Sequence, residues 1–247
     1  MTVKIGVAVA LVGLATLFTV VHLRTEWLLR SRLLMSTPNA IIDDAQLRAY
    51  ALRIGRPVYQ GRCLVCHGPE LQGDARRGIP NLADRDWLYG TGRVGEIERV
   101  VLYGIRAGHS KTLNAASMPA FATPNPYLRY KIEPLRPDEL DDVAGLIYSF
   151  QHPGSVAADT VRRGLAVYRG KGLCFDCHSD HANGDPAIGA PNLVDAIWLH
   201  GDGSLDSIRE SIARGQGGVC PPWIGRLDPG QIRSVAVFVN TFNATRK

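Results

Sequence analysis

Apolar residues along the chain first form an uncharged run, at residues 5–21, and then recur in a series of shorter patches. The run is apolar on every side, which is typical of a helix that crosses a membrane. In the later patches the apolar positions are three or four residues apart, as on one face of an α-helix. The strand-like stretch VAVFV lies inside the last helical patch. The pattern therefore predicts an all-α protein with an N-terminal transmembrane helix.

Three helical patches occur twice along the chain. The middle and last patches of the two copies are residues 95–105, 135–150, 205–215 and 227–242. The first patch of each copy runs into a cysteine motif. Pro57 predicts that the first of these helices begins near Ile54, because proline is tolerated in the first turn of a helix and not inside it. Asp228 is expected to be the N-cap of the last helix, with Pro229 at its first position.

The repetition extends to individual residues at a constant offset. Residues 63–104 match residues 174–215 at an offset of 111 positions. Beyond them the first copy has an insertion at about residues 107–116, after which Met118 aligns with Cys220. A long internal repeat indicates a duplicated unit. We therefore divide the chain into an anchor (1–24), a linker (25–50), a first domain (51–152) and a second domain (153–247).

Each copy contains a C-x-x-C-H motif, which is typical of covalent haem attachment. Two thiols one helical turn apart can each add to a vinyl group of the same porphyrin, and the next residue, histidine, is then held against the iron. A zinc site or a redox dithiol uses similar cysteine pairs. The separation of the pairs is far from zinc-ribbon spacing, however, and a dithiol leaves the histidine unexplained. The two motifs predict two covalently bound haem c groups. Their residues are Cys63, Cys66 and His67 in the first copy and Cys174, Cys177 and His178 in the second.

The charged residues bear on partners and on membrane orientation. The 247-residue chain has a net charge of +5, but its basic residues are scattered, which predicts no nucleic-acid binding. The apolar run lacks a small-x-small cleavage site, which favours an uncleaved anchor over a signal peptide. Arg24, Arg30 and Arg32 follow the run and favour a cytoplasmic C-terminal side. Covalent haem attachment takes place outside the bacterial cytoplasm, so we expect a single pass in the inner membrane with periplasmic haem domains.

Residues 51–247 resemble class I cytochromes c. More narrowly, C-x-x-C-H-G, IPNLADRDWLYG (79–90) and SMPAF resemble the FixP (CcoP) subunit of cbb3-type haem–copper oxidases. GAPNLVDAIWLHG (189–201) and GVCPPW (218–223) resemble the second domain of the same subunit. The resemblance implies an anchor followed by two tandem class I cytochrome c domains.

The resemblance also implies roles for particular residues. His67 and His178 would be the proximal iron ligands. Pro80 and Pro191 would accept hydrogen bonds from the two imidazole rings and so orient them. Met118 would be the distal ligand of the first haem.

Cys220 stands where the second copy is expected to have its distal methionine. A thiolate ligand would lower the reduction potential of the second haem below that of the first, methionine-ligated haem. Electrons would then enter at the second domain and leave through the first. Alternatively, Cys220 is a small buried residue. The second iron is then open, or is ligated by His181 or His200.

An electron carrier needs no general acid, base or nucleophile, and the sequence shows no catalytic grouping of that kind. We therefore expect a non-catalytic electron-transfer subunit of a cbb3-type oxidase or a related respiratory complex. Its partners would be the other subunits of that membrane complex and a soluble cytochrome c. Two alternatives stay open: the cytochrome subunit of a periplasmic dehydrogenase, and a dihaem enzyme that oxidises sulfur compounds at a cysteine-ligated haem.

Overall fold

The computed structural model describes residues 2–114, 116–124 and 133–244. Within these ranges the chain forms nine α-helices, two short 3₁₀ turns and no β-sheet, which confirms the all-α fold class. The helices are α1 (Thr2–Met35), α2 (Ala45–Arg62), α3 (Leu64–His67), α4 (Val94–Tyr103), α5 (Pro137–Gln151), α6 (Ala158–Arg169), α7 (Phe175–His178), α8 (Leu205–Arg214) and α9 (Pro229–Ala244).

Helix α1 extends well beyond the predicted anchor. Its segment Leu11–Met35 is long and apolar enough to cross a membrane, as judged by length and composition. The last turns of the helix belong to the globular part, because Leu33 is fully buried against Ile41 and Leu47. The predicted linker, residues 25–50, consists of the end of α1, the 3₁₀ turn Pro38–Ile42 and the start of α2.

Helix α2 begins nine residues before the predicted start near Ile54, and that prediction is wrong. Asp44 is its N-cap and accepts hydrogen bonds from the next turn, with Leu47 N at 2.9 Å. The helix continues through Pro57. An internal proline costs about 3 kcal/mol, but Leu47 and Tyr50 become buried on the same helix. Each such side chain contributes roughly 1.5–3 kcal/mol, which offsets that cost.

The other helix starts follow the sequence closely. Both middle patches are helical as predicted, in α4 and α8. The Asp228 carboxylate accepts hydrogen bonds from the backbone N–H of Gly230 at 2.8 Å and of Gln231 at 3.1 Å. The predicted N-cap of α9, with Pro229 at the first helical position, is therefore confirmed.

The last helix of each repeat packs on the other repeat. Helices α2 and α4 pack against α9, whereas α6 and α8 pack against α5. We call α2–α4 with α9 the first unit, and α5–α8 the second unit. The boundary predicted between residues 152 and 153 falls in the turn between α5 and α6, inside the second unit. The last helix of each repeat thus completes the core of the unit that contains the other repeat's first and middle helices.

Equivalent glycines allow close helix contact in both units. A Cβ at Gly55 of α2 would overlap the carbonyl oxygen of Ser234 in α9. A Cβ at Gly164 of α6 would likewise overlap the carbonyl oxygen of Asp142 in α5. The crossed packing is therefore built in the same way on both sides.

Each unit has its own apolar core. The core of the first unit includes the end of α1 and combines α2 and α4 with α9; its most buried members include Leu33, Ile41, Ala51, Tyr59, Val94, Val235 and Val237. The core of the second unit combines α5 with α6 and α8; its most buried members include Val143, Ala144, Tyr168, Ile208 and Ile212.

Candidate haem-binding site

A cavity of about 850 Å³ lies between the two units. Both C-x-x-C-H motifs line it, and so do two later segments of the chain. We call these the SMPAF segment (117–121) and the CPPW segment (220–223). The two predicted haem sites are therefore parts of one continuous, largely apolar space.

The two motif histidines are held in the same way. His67 Nδ1 lies 3.2 Å from the carbonyl oxygen of Pro80, and His178 Nδ1 lies 2.9 Å from that of Pro191. A ring that donates from Nδ1 to a carbonyl keeps the lone pair on Nε2, which is then available to a metal. Burial lowers the pKa of both imidazoles, which favours the neutral form that a metal ligand needs.

A tyrosine fixes the end of each motif. The Tyr59 hydroxyl donates to the carbonyl oxygen of Gly68 at 2.6 Å, and the Tyr168 hydroxyl donates to that of Ser179 at 2.7 Å. Both tyrosines are almost fully buried in the helices that precede the motifs. These contacts tie α3 to α2 and α7 to α6, and so fix where each histidine lies.

The motif cysteines fit covalent haem attachment. All five cysteines of the chain are free thiols. Burial, with a smaller contribution from neighbouring thiols, raises the pKa of Cys63 to about 11, and burial raises that of Cys174 to about 12. Unpaired thiols that line an apolar cavity, each pair followed by an oriented imidazole, are the donor set that a thioether-bound haem requires. The residues present therefore fit the group.

Met118 and Cys220, the expected distal ligands, each lie beside the repeat opposite to the one expected. Cys220 is close to the first repeat: it exchanges backbone hydrogen bonds with Ile105, and its thiol is near enough to contribute to the raised pKa of Cys63. Met118 packs into the core of the second unit, which also includes Cys174. Met118, expected at the first site, therefore lies beside the second repeat, and Cys220, expected at the second site, lies beside the first. The SMPAF segment lies beside the start of α5 in the second unit, where Leu135 N–H donates to the Phe121 carbonyl oxygen at 2.8 Å.

The two histidines considered as alternative ligands lie in different surroundings. His181 is exposed. His200 lies against Gly78 of the first repeat, while its counterpart Tyr89 lies against Gly189 of the second. These two contacts form a symmetric junction between the units.

Arg106 is a residue of this junction that the sequence did not single out. Its guanidinium donates to the Tyr89 hydroxyl at 3.0 Å and to the carbonyl oxygens of Ala116 at 3.1 Å and Gly218 at 2.6 Å. Ala116 precedes the SMPAF segment and Gly218 precedes the CPPW segment, so Arg106 joins the two places where the chain passes between units. It sits at the edge of the insertion and has glycine as its counterpart in the second copy, so no motif marks it.

Within residues 2–114, 116–124 and 133–244, no group of three or more His, Cys, Asp or Glu side chains is arranged to hold a bare metal ion.

An all-α chain with two C-x-x-C-H sites, each with a carbonyl-bonded histidine, defines a dihaem c-type cytochrome. Comparison with known proteins identifies its family. The family model described as "Cytochrome C oxidase, cbb3-type, subunit III" matches residues 51–126 and 159–239. The chain belongs to this family, and its cofactors are two covalently bound c-type haems. The resemblance to FixP and CcoP is thereby confirmed.

Individual relatives agree with this result. The chain is 38% identical over 201 residues to the Cbb3-type cytochrome c oxidase subunit FixP of Bradyrhizobium sp. (strain ORS 278), covering 81% of this chain and 64% of the relative. It is 32% identical over 212 residues to the subunit CcoP of Cereibacter sphaeroides, covering 86% of this chain and 68% of that protein. The chain thus spans slightly less than two thirds of the length of the Bradyrhizobium protein.

Proposed function

We propose that the chain is the dihaem electron-transfer subunit of a cbb3-type cytochrome c oxidase. The observation that carries the proposal is the pair of C-x-x-C-H motifs that open onto one shared cavity in a member of this family. A continuous apolar space between two attachment sites suits transfer between two closely spaced cofactors. No general acid, base or nucleophile is required of the chain.

The roles of the residues follow from their contacts. Cys63 and Cys66 would hold one haem and Cys174 and Cys177 the other, and each haem supplies a one-electron iron couple when bound. His67 and His178 would be the proximal ligands, oriented by the carbonyls of Pro80 and Pro191 at 3.2 and 2.9 Å. The tyrosine contacts at the motif ends keep this geometry fixed, which limits reorganisation when the charge on the iron changes.

We further propose a single pass through the bacterial inner membrane, with the haem units on the periplasmic side and a soluble cytochrome c as electron donor. Two of the arginines that follow the apolar run, Arg30 and Arg32, form ion pairs with the first unit. Arg30 pairs with Asp228 at 3.0 Å, and Arg32 pairs with Asp44 at 2.7 Å. These charges tie α1 to the first unit, so they serve a structural purpose beyond setting orientation.

The sequence left two other functions open: a dehydrogenase cytochrome and a sulfur-oxidising dihaem enzyme. Neither is favoured, because the family match and the relatives all concern cbb3-type oxidase subunits. A Cys-ligated haem was the reason to consider sulfur oxidation, and such a ligand is equally compatible with electron transfer.

Affinity purification of the full chain from bacterial membranes tests the proposal. We expect the catalytic subunit of a cbb3-type oxidase to co-purify, together with two haems bound through thioether bonds to the tagged chain. The variant Cys66→Ala should lose a thioether bond. Val65→Ala, a neighbouring exposed position of the same motif, is the matched control and should keep both haems. Purification of the dihaem chain with a dehydrogenase and no oxidase subunit would contradict the proposal.

A further inference from the structure

We propose that the distal side of each haem site is closed by a segment of the other repeat. The CPPW segment would close the first site, with Cys220 opposite His67, and the SMPAF segment would close the second, with Met118 opposite His178. This inference rests on the proposed function, because it requires two haems at the two motifs. It reverses the pairing that the linear order of the repeats implies. It concerns whole segments of chain, each held by backbone contacts on the opposite repeat.

Backbone hydrogen bonds hold the CPPW segment on the first repeat. The N–H of Ile105 donates to the carbonyl oxygen of Cys220 at 2.9 Å, and the N–H of Cys220 donates back to that of Ile105 at 3.0 Å. Trp223 N–H donates to the Val101 carbonyl oxygen, in α4, at 2.9 Å. Cys220 is thereby fixed next to α4, on the cavity wall that faces the first motif.

Equivalent contacts hold the SMPAF segment on the second repeat. Met118 and Gln216 exchange backbone hydrogen bonds of 2.9 and 3.0 Å. Phe121 N–H donates to the Ile212 carbonyl oxygen, in α8, at 3.1 Å. Met118 thus lies over the second site as Cys220 lies over the first.

The two sets of contacts are related by the sequence repeat. Gln216 is the counterpart of Ile105 at the 111-residue offset, and α8 is the counterpart of α4. The glycine at the end of each middle helix also takes part: a Cβ at Gly104 would overlap the carbonyl oxygen of Cys220, and a Cβ at Gly215 would overlap that of Met118. The exchange of the two segments is therefore reciprocal: the CPPW segment lies on the first repeat in the same way as the SMPAF segment lies on the second.

The crossed pairing changes the expected order of reduction potentials. Methionine raises the potential of a haem, whereas a thiolate ligand pushes electron density onto the iron and lowers it. The second haem, with Met118, should therefore have the higher potential. The first haem, in the unit that is attached to the membrane helix, should have the lower one.

The experiment uses the purified full chain in detergent, in the ferric state. Mass spectrometry first counts thioether-bound haems, and a count other than two counts against the proposed function itself. Electron paramagnetic resonance then detects thiolate ligation, and near-infrared magnetic circular dichroism detects methionine ligation. Each proximal histidine is replaced in turn, as His67→Gly and His178→Gly, and imidazole or a substituted imidazole is added to fill the gap while the thioethers retain the haem.

We expect the thiolate signal to shift with the added imidazole in His67→Gly and to stay constant in His178→Gly. The methionine band should behave in the opposite way. Cys220→Ala should remove the thiolate signal and leave the methionine band. Cys220→Met is the variant that keeps a sulfur ligand, and it should add a second methionine band and raise the lower of the two potentials.

Two results would overturn the inference in a protein that carries both haems. One is a thiolate signal that follows the imidazole in His178→Gly, because Cys220 would then close the second site. The other is the absence of any thiolate signal from the wild-type protein, together with a methionine band that responds in His67→Gly.

Discussion

Replacing Arg233 by methionine is expected to loosen the attachment of the membrane helix to the first unit. Arg233 lies on α9, and its guanidinium contacts both carboxylate oxygens of Glu98, in α4, at 2.9 Å. The same group donates to the carbonyl oxygens of Leu33 at 3.0 Å and Ser36 at 2.8 Å. One side chain therefore joins the last helix of the chain to α4 and to the end of α1.

The size of the effect follows from burial. The side chains of Arg233 and Glu98 are 14% and 12% exposed. Removing one partner of a buried ion pair costs about 3–5 kcal/mol, because the other charge is left uncompensated. With this small remaining exposure we expect the low end, about 3 kcal/mol. In a chain of this size 1 kcal/mol corresponds to about 2–4 °C, so the melting temperature should fall by about 6–12 °C.

Thermal unfolding of the detergent-solubilised protein measures this change. Glu98→Gln combined with Arg233→Met should recover part of the loss, because no unpaired charge then remains. A further control is Arg226→Met, at an arginine that stacks on Trp223 at the surface, for which we expect little change. If Arg233→Met lowered the melting temperature by less than 2 °C, the contact of α9 with α1 and α4 would be refuted.

Two further predictions concern stability. Burial and the carboxylate of Asp195 raise the pKa of Asp86 to about 6, so the folded state holds this proton more tightly than the unfolded chain, and stability is lost as the pH rises from about 4 to about 6. Asp86→Asn should therefore raise the free energy of unfolding by about 1 kcal/mol at pH 7, after allowance for partial exposure, and denaturant titrations should show no gain at pH 4. Gly55→Ala should destabilise by several times the roughly 1 kcal/mol that alanine gains in a helix, because its Cβ would meet the Ser234 carbonyl oxygen. In the same titration Gly61→Ala, which has open space around it, should be neutral or stabilising, and equal effects at the two glycines would count against close packing of α2 on α9.

Features that depend on neighbouring residues could be predicted from the sequence. The two haem motifs, the helices α4 and α8 and the N-cap of α9 all follow from residues within a few positions of one another. The start of α2 could not be predicted in this way. Its first half is stabilised by contacts with distant parts of the chain, and those contacts outweigh the local effect of Pro57.

The crossed packing could not be predicted, because the repeat makes the partners equivalent. An apolar helix face shows that a helix is buried but does not show against which of two similar surfaces. Gly55 and Gly164 offer the same close contact to α9 and α5. The connections on the two sides differ in length: a short turn joins α5 to α6, while a ten-residue insertion precedes the SMPAF segment.

Cleavage of the chain between α5 and α6 tests the crossed packing most directly. Gly154 lies in this turn, exposed and with open space around it, so a protease site inserted there should be accessible in the folded protein. If each domain were formed by one continuous half of the chain, the two fragments would separate after cleavage in dilute, high-salt buffer. In the crossed arrangement α9 remains packed on α2, and α6 on α5. We therefore predict that the two fragments co-elute at the mass of the intact protein and separate only in denaturant. Separation of the fragments under native conditions would contradict the exchange of helices between the repeats.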